Sequence, residues 1–185
     1  MYDNIAKAYI KTLITESKEP LYVYHGGTYS GGEYNPYAVG ELGNIRPMGG
    51  GIYAGDTEYH ASRYLKYGKE SAKVHKFEVD SGASIFPMNG KAWNMETPEM
   101  QSHWREKSLA IQKDFQDQGL VRQSPFGHWG HWASQMSFSK SVPEREQMRQ
   151  ILLKHGVDGG KQVFGDEPGG TEYAFYNTNV LKHID

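Results

Sequence analysis

Gly49-Gly50-Gly51-Ile52-Tyr53-Ala54-Gly55-Asp56-Thr57-Glu58-Tyr59-His60-Ala61-Ser62-Arg63-Tyr64 is the stretch on which the fold turns. Three glycines without Cβ atoms let the backbone bend tightly or approach a ligand closely. A short apolar run centred on Tyr53 follows, and Asp56 or Thr57 is placed to cap a helix. On that helix Ala61 and Tyr64 lie three apart and share a face. Glycine loop, short strand, capped helix and two placed tyrosines describe the floor of a pocket for a flat polar ring. The same letters also fit a loop entering an amphipathic helix with core tyrosines. Two distant stretches, Tyr24-His25-Gly26-Gly27 and Thr171-Glu172-Tyr173-Ala174-Phe175-Tyr176, favour the pocket.

Upstream, Tyr2 to Glu16 reads as a helix with Ile5, Ala8, Tyr9, Thr12 and Leu13 on one stripe. After Pro20, Leu21 to His25 alternates as a strand that puts Leu21, Val23 and His25 on one face. His25 stands at the strand's end beside Gly26 and Gly27, where backbone amides are open to a ligand. Thr28 to Met48 shows no periodicity and reads as a long loop, of the kind that is often functional.

Downstream, Lys73 to Val79 is a strand with His75, Phe77 and Val79 alternating, and Ala83 to Phe86 starts another, stopped by Pro87. Glu99 to Gln118 has helical composition, with Met100, Trp104, Leu109, Ile111 and Phe115 as its apolar positions. The run Phe126-Gly127-His128-Trp129-Gly130-His131-Trp132 could bind a metal, stack a base or cover the core. Ser141-Val142-Pro143-Glu144 is a clean helix start, with a serine cap, an early proline and a glutamate three residues after the cap. That helix runs through Met148, Ile151, Leu152 and Leu153 to a stop at Gly156. Val157 to Gly160 then turns into a strand near Lys161 to Phe164, Thr171 to Tyr176 is a further strand, and the chain closes on a short extended segment after Asn177.

The order of elements is α+β with mostly antiparallel pairing. No Gly-x-Gly-x-x-Gly joins a strand to a helix, which disfavours a doubly wound dinucleotide fold. The length of 185 residues fits a single domain over 1–185, with an insertion over about 89–134. A formal charge of −2 excludes a surface that is wholly a nucleic-acid footprint. Cysteine is absent, so neither a disulfide nor a thiolate–metal site is available. With no leader pattern at Met1 and no apolar run of bilayer length, a cytoplasmic protein is expected, or one delivered into a target cell by a leaderless route.

With the three stretches in place, the chain resembles the ADP-ribosyltransferases of the His-Tyr-Glu type, the branch of diphtheria toxin and the poly(ADP-ribose) polymerases, in its bacterial or phage form. The resemblance covers Leu21 to Phe77 and Ser141 to the C-terminus, but not the Trp-rich middle. Tyr24-His25-Gly26-Gly27 is similar to the first motif and Gly51-Ile52-Tyr53-Ala54 to the second. Tyr64 falls on the second aromatic position, and Thr171 to Phe175 resembles the strand that carries the glutamate. Lys154 to Gly159 and Asn177 to Lys182 also resemble the ends of many bacterial and phage members. The implied fold is a split β-sandwich of two small, mostly antiparallel sheets with flanking helices and a helical Trp-rich insertion.

The resemblance further implies cleavage of NAD at the nicotinamide–ribose bond and transfer of ADP-ribose, with His25, Tyr53 and Glu172 as the catalytic set. Glu172 would hydrogen-bond the nicotinamide ribose and stabilise its oxocarbenium-like charge. A preorganised carboxylate of that kind is worth roughly 3–4 kcal/mol of barrier. His25, Gly26, Gly27, Thr28, Tyr53, Ser62 and Tyr64 would hold NAD, the two tyrosines sandwiching the nicotinamide ring, and no metal is implied. The implied partner is a macromolecular acceptor, protein or nucleic acid, with an antitoxin or hydrolase as counterpart. Gly27 departs from the common Ser or Thr of the first motif, and Ala61 from a common serine that has its neighbour in Ser62. Gly170, two before Glu172, is not the Glu or Gln of arginine-modifying members. Competing expectations are an NAD glycohydrolase, an NAD-dependent RNA 2′-phosphotransferase, and a catalytically silent binding or virion module.

Overall fold

Seven strands of the computed structural model join in one mixed sheet, and four helices accompany them among the described residues, which are 19–27, 52–65, 70–121, 141–165 and 170–184. In chain order they are β1 (Leu21–Gly27), β2 (Ile52–Gly55), α1 (Glu58–Ser62), β3 (Lys73–Val79), β4 (Ile85–Pro87), α2 (Gly90–Asn94), α3 (Pro98–Asp117), α4 (Val142–Lys154), β5 (Gly159–Val163), β6 (Thr171–Phe175) and β7 (Leu181–Ile184). The helix expected over Tyr2 to Glu16, the loop over Thr28 to Met48 and the His-Trp run over Phe126 to Trp132 lie outside the described residues.

The strand order is β4-β5-β6-β2-β1-β3-β7. Every neighbouring pair is antiparallel except β4 with β5. That parallel pair needs a crossover, and α2, α3 and α4 supply it. Within the described part of the insertion expected over 89–134, Trp93 and Trp104 are buried in the principal core. That core also gathers Ile111 and Phe115 of α3, Met148, Ile151 and Leu152 of α4, and Ala174 of β6. A second cluster on the other sheet face holds Val23, Ala54, Phe77, Val79, Tyr173 and Phe175. β6 thus sends alternate side chains into two cores, as the period of two requires.

Local signals account for most element boundaries. Ser141 and Glu144 form a reciprocal capping box, with Pro143 in the first turn. Gly156 takes φ of +66° just past α4, a left-handed stop that suits glycine. Thr97 caps α3 by accepting from Met100 N, and a proline opens the helix. Three of the boundaries and one apolar stripe differ from expectation. β1 runs on through Gly27, and Pro87 ends β4 from within the strand. Gly159-Gly160, read as a turn, begins β5 instead. There a Cβ would meet Ala174 O at 2.9 Å or the Met88 side chain at 2.8 Å. Met100 and Leu109, expected on the apolar stripe of α3, are exposed.

The two C-terminal segments that carry the resemblance meet in space. Asn177 Nδ2 donates to Asp158 Oδ1 at 2.7 Å, and Ser84 N donates to Asp158 Oδ2 at 2.8 Å. No helix among the described residues is long and apolar enough to cross a membrane.

Candidate active site

The centre of the sheet is where its pairing is thinnest. Among the described residues β1 and β3 share seven register pairs, whereas β1 and β2 share one, Tyr24 with Gly55. Beyond that pair the strands part, and His25 bridges the gap: its Nδ1 lies 2.6 Å from the carbonyl oxygen of Tyr53. A carbonyl only accepts, so Nδ1 carries a proton in this bond. Gly27 borders the other ring nitrogen. A Cβ there would stand 3.0 Å from His25 Nε2, which gives glycine a steric reason at the position where the resembled motif has Ser or Thr.

Register sets the rest of the site. Gly55 pairs with Glu172, and Tyr53 with Ala174, so Tyr53, Gly55 and Glu172 project to one face. Gly55 also pairs with Tyr24, which puts His25 on the opposite face of β1. α1 lies across the Glu172 face. Thr57 caps it by accepting from His60 N, while Asp56 closes the β2–β6 ladder by accepting from Thr171 N through Oδ2 at 3.3 Å. The alternative left open between Asp56 and Thr57 is thereby decided for Thr57.

Two glycines allow the close approach of α1. A Cβ on Gly26 would come within 2.0 Å of Ala61 O, and one on Gly55 within 2.7–2.9 Å of the His60 side chain. Brought down in this way, the helix end delivers two donors to Glu172. Tyr64 Oη donates to Oε1 at 2.7 Å, and His60 Nε2 lies 3.2 Å from the same oxygen. The carboxylate is nearly enclosed, with 16% of its side chain exposed, while Tyr64 remains 46% exposed.

Of the residues suggested by sequence, Tyr64 and Glu172 are in direct contact and Tyr53 shares their face, partly buried against the principal core. His25 is joined to the Tyr53 backbone, and the hydrogen bonds to Glu172 come from Tyr64 and His60. Ser62 turns its hydroxyl to Tyr59 O at 2.8 Å, a bond within its own helix. Thr28 lies outside the described residues. His60 was missed, although its i,i+4 spacing to Tyr64 and the glycine beneath it were signals for it. Tyr173, next in sequence to Glu172, faces the second core; burial, with Asp56 adding to it, pushes its phenol up to about 12. It keeps its proton and takes no acid–base part at neutral pH.

A histidine row continues away from the site. His75, buried opposite His25 on β3, has Nδ1 3.2 Å from His183 Nε2 on β7. Among the described residues, no group of three or more His, Asp or Glu side chains is placed to hold a metal ion. Comparison with protein-family models, with curated proteins and with solved structures finds no match to this chain.

Proposed function

We propose that the chain is a mono-ADP-ribosyltransferase that cleaves NAD between nicotinamide and ribose and passes ADP-ribose to a macromolecular acceptor. The observation that carries this reading is the junction of Tyr64 and Glu172: a strand carboxylate gripped at 2.7 Å by a half-exposed tyrosine, on the sheet face that also bears Tyr53. Tyr53, Tyr64 and Glu172 are among the residues that the motif resemblance named, with Tyr64 two residues past the end of α1 rather than on it. The single register pair between β1 and β2 is in keeping with a sheet dividing into two small halves at the site.

The chemistry fits the groups present. As the bond from ribose C1′ to the nicotinamide nitrogen breaks, its electron pair leaves with neutral nicotinamide and positive charge develops on the ribose. The Glu172 carboxylate, shielded from water and held by two donors, stabilises that charge without reorganising. An acceptor oxygen or nitrogen then attacks C1′ and loses its proton. Tyr53 and Tyr64 offer ring surfaces for nicotinamide, and the backbone at Gly26 and Gly27 offers polar groups to its amide. By the motif resemblance His25 would hold a ribose hydroxyl from the opposite face of β1, where its Nδ1 is bonded to the Tyr53 carbonyl. The reaction would take place in the producing cell's cytoplasm or in a cell to which the chain is delivered, with an antitoxin or hydrolase as counterpart.

The test is nicotinamide release and label transfer from NAD by purified protein with cell lysate, split afterwards by protease, DNase or RNase. Label removed by one digestion names the acceptor class, and Glu172→Gln should lower release by about a hundredfold to a thousandfold. Release without retained label would reassign the chain as a glycohydrolase. No release and no transfer would leave it a silent binding module.

A further inference from the structure

The sequence motifs account for one of the two groups that grip Glu172. The other is His60, and the geometry gives it more than a packing role. A carboxylate is an acceptor only, so the contact at 3.2 Å requires a proton on His60 Nε2. Tyr64 Oη donates to the same oxygen at 2.7 Å, so both bonds converge on Oε1. The terminal torsion of a glutamate is broad and roughly two-fold, and a single bond would leave the carboxylate free to rock. Two donors on the same oxygen, one from α1 and one from two residues past its end, restrict that rocking.

His60 is itself held in place. Its ring lies over Gly55, where any Cβ would intrude to 2.7 Å, and its backbone amide is capped by Thr57 Oγ1. The residue is 8% exposed, and its ring is tilted against that of Tyr64 at 5.8 Å between centroids. We propose that His60 is a positioning residue which, with Tyr64, clamps Oε1 of Glu172 so that Oε2 meets the ribose of the dinucleotide. This rests on the transferase reading above. The clamp stabilises the developing charge through Glu172 and does not touch the substrate.

Three variants and one spectrum test it. His60→Leu removes the donor, His60→Gln keeps an N–H donor, and Tyr64→Phe removes the partner bond. Nicotinamide release from NAD gives kcat and KM, thermal unfolding gives Tm, and long-range 1H–15N spectra give the His60 tautomer in the wild-type protein. The expected result is a kcat lower by about ten- to a hundredfold in His60→Leu, with KM for NAD within about twofold and most of kcat recovered in His60→Gln. A purely structural histidine would lower Tm in both variants and leave kcat alone, which overturns the proposal. A loss confined to KM, or a His60→Gln no better than His60→Leu, overturns it as well. Should His60→Leu not fold, His60→Gln and the spectrum decide, since a wild-type ring with Nε2 bare overturns the clamp outright. If the wild-type protein releases no nicotinamide, the transferase reading falls. The tautomer then still decides the clamp: a proton on Nε2 supports it and its absence ends it.

Discussion

Gly26 and Gly55 show how much of the site is determined by atoms that are missing. α1 reaches Glu172 because Ala61 O can pass a Gly26 position with no Cβ, where one would stand 2.0 Å away. That neighbour is backbone and cannot rotate aside. Gly26→Ala is therefore expected to destabilise the fold by about 1–3 kcal/mol or more, as overpacking does, and to lift α1 from the sheet. Chemical denaturation measures the first effect, and loss of the Tyr64 contribution to nicotinamide release the second. The Tyr64 hydroxyl makes the opposite prediction. Tyr64 is 46% exposed, so Tyr64→Phe should leave the denaturation midpoint nearly unchanged while kcat falls about tenfold. A variant that lost stability and kept kcat would remove the tyrosine from the site. These two residues were legible to different degrees. Tyr64 stands out in the chain by falling on the second aromatic position of the resembled motif, whereas the need for Gly26 is a contact with Ala61, 35 positions later.

α3 and α4 are tied by the carboxylate of Asp114. Lys154 Nζ and His155 Nε2 each stand 2.8 Å from Asp114 Oδ2, and these bonds hold its carboxyl below the usual carboxylate range. A carboxyl lowered by folding contributes stability above its unfolded value, and the contribution is lost as pH falls through the folded one. Asp114→Asn should therefore be less stable than wild type at neutral pH. The gap should begin to close as pH falls to about 4, where the unfolded carboxyl takes up its proton, and vanish once pH passes below the lowered folded value. Denaturant midpoints at pH 7 and pH 3 check the sign; a gap that widened in acid would contradict the tie. At the start of α4, Ser141→Ala should cost about 1 kcal/mol by opening the capping box. The box was plain in the sequence because a cap and its partner lie three residues apart. The stripe of α3 was not. Its buried positions are Trp104, Ser108, Ile111, Gln112 and Phe115, so two polar letters occupy the inward face while Leu109 points out. Reading apolar letters alone misplaces such a stripe, since burial there is settled by what the helix packs against.

At the scale of the whole molecule, the sheet could be expected to fail along β1–β2, where one register pair joins its halves. The cores argue otherwise. β6 contributes Tyr173 and Phe175 to the second cluster and Ala174 to the principal one, followed there by Tyr176. β2 does the same with Ala54 and Tyr53, so neither cluster can melt without loosening the strands that complete the other. This coupling could not be read from the chain, where Thr171 to Tyr176 is simply an apolar strand with a glutamate in it. Only the sheet order puts β6 next to β2 and the helices over one face. Phe77 and Leu152 lie in different clusters and are both fully buried. Truncation to alanine should cost about 3–5 kcal/mol at Phe77 and about 2–5 kcal/mol at Leu152. Because β6 is shared, hydrogen exchange at the amides of Tyr173, Ala174 and Phe175 should speed up together in either variant, in a single cooperative unit. Exchange that rose at the second cluster alone in Phe77→Ala, with α4 still protected, would show two separable halves. The site would then sit on a hinge, with Glu172 and His25 on opposite sides of it. Uniform acceleration would instead mean that the carboxylate and the histidine are held in register by the same cooperative fold, as preorganised stabilisation of a developing charge requires.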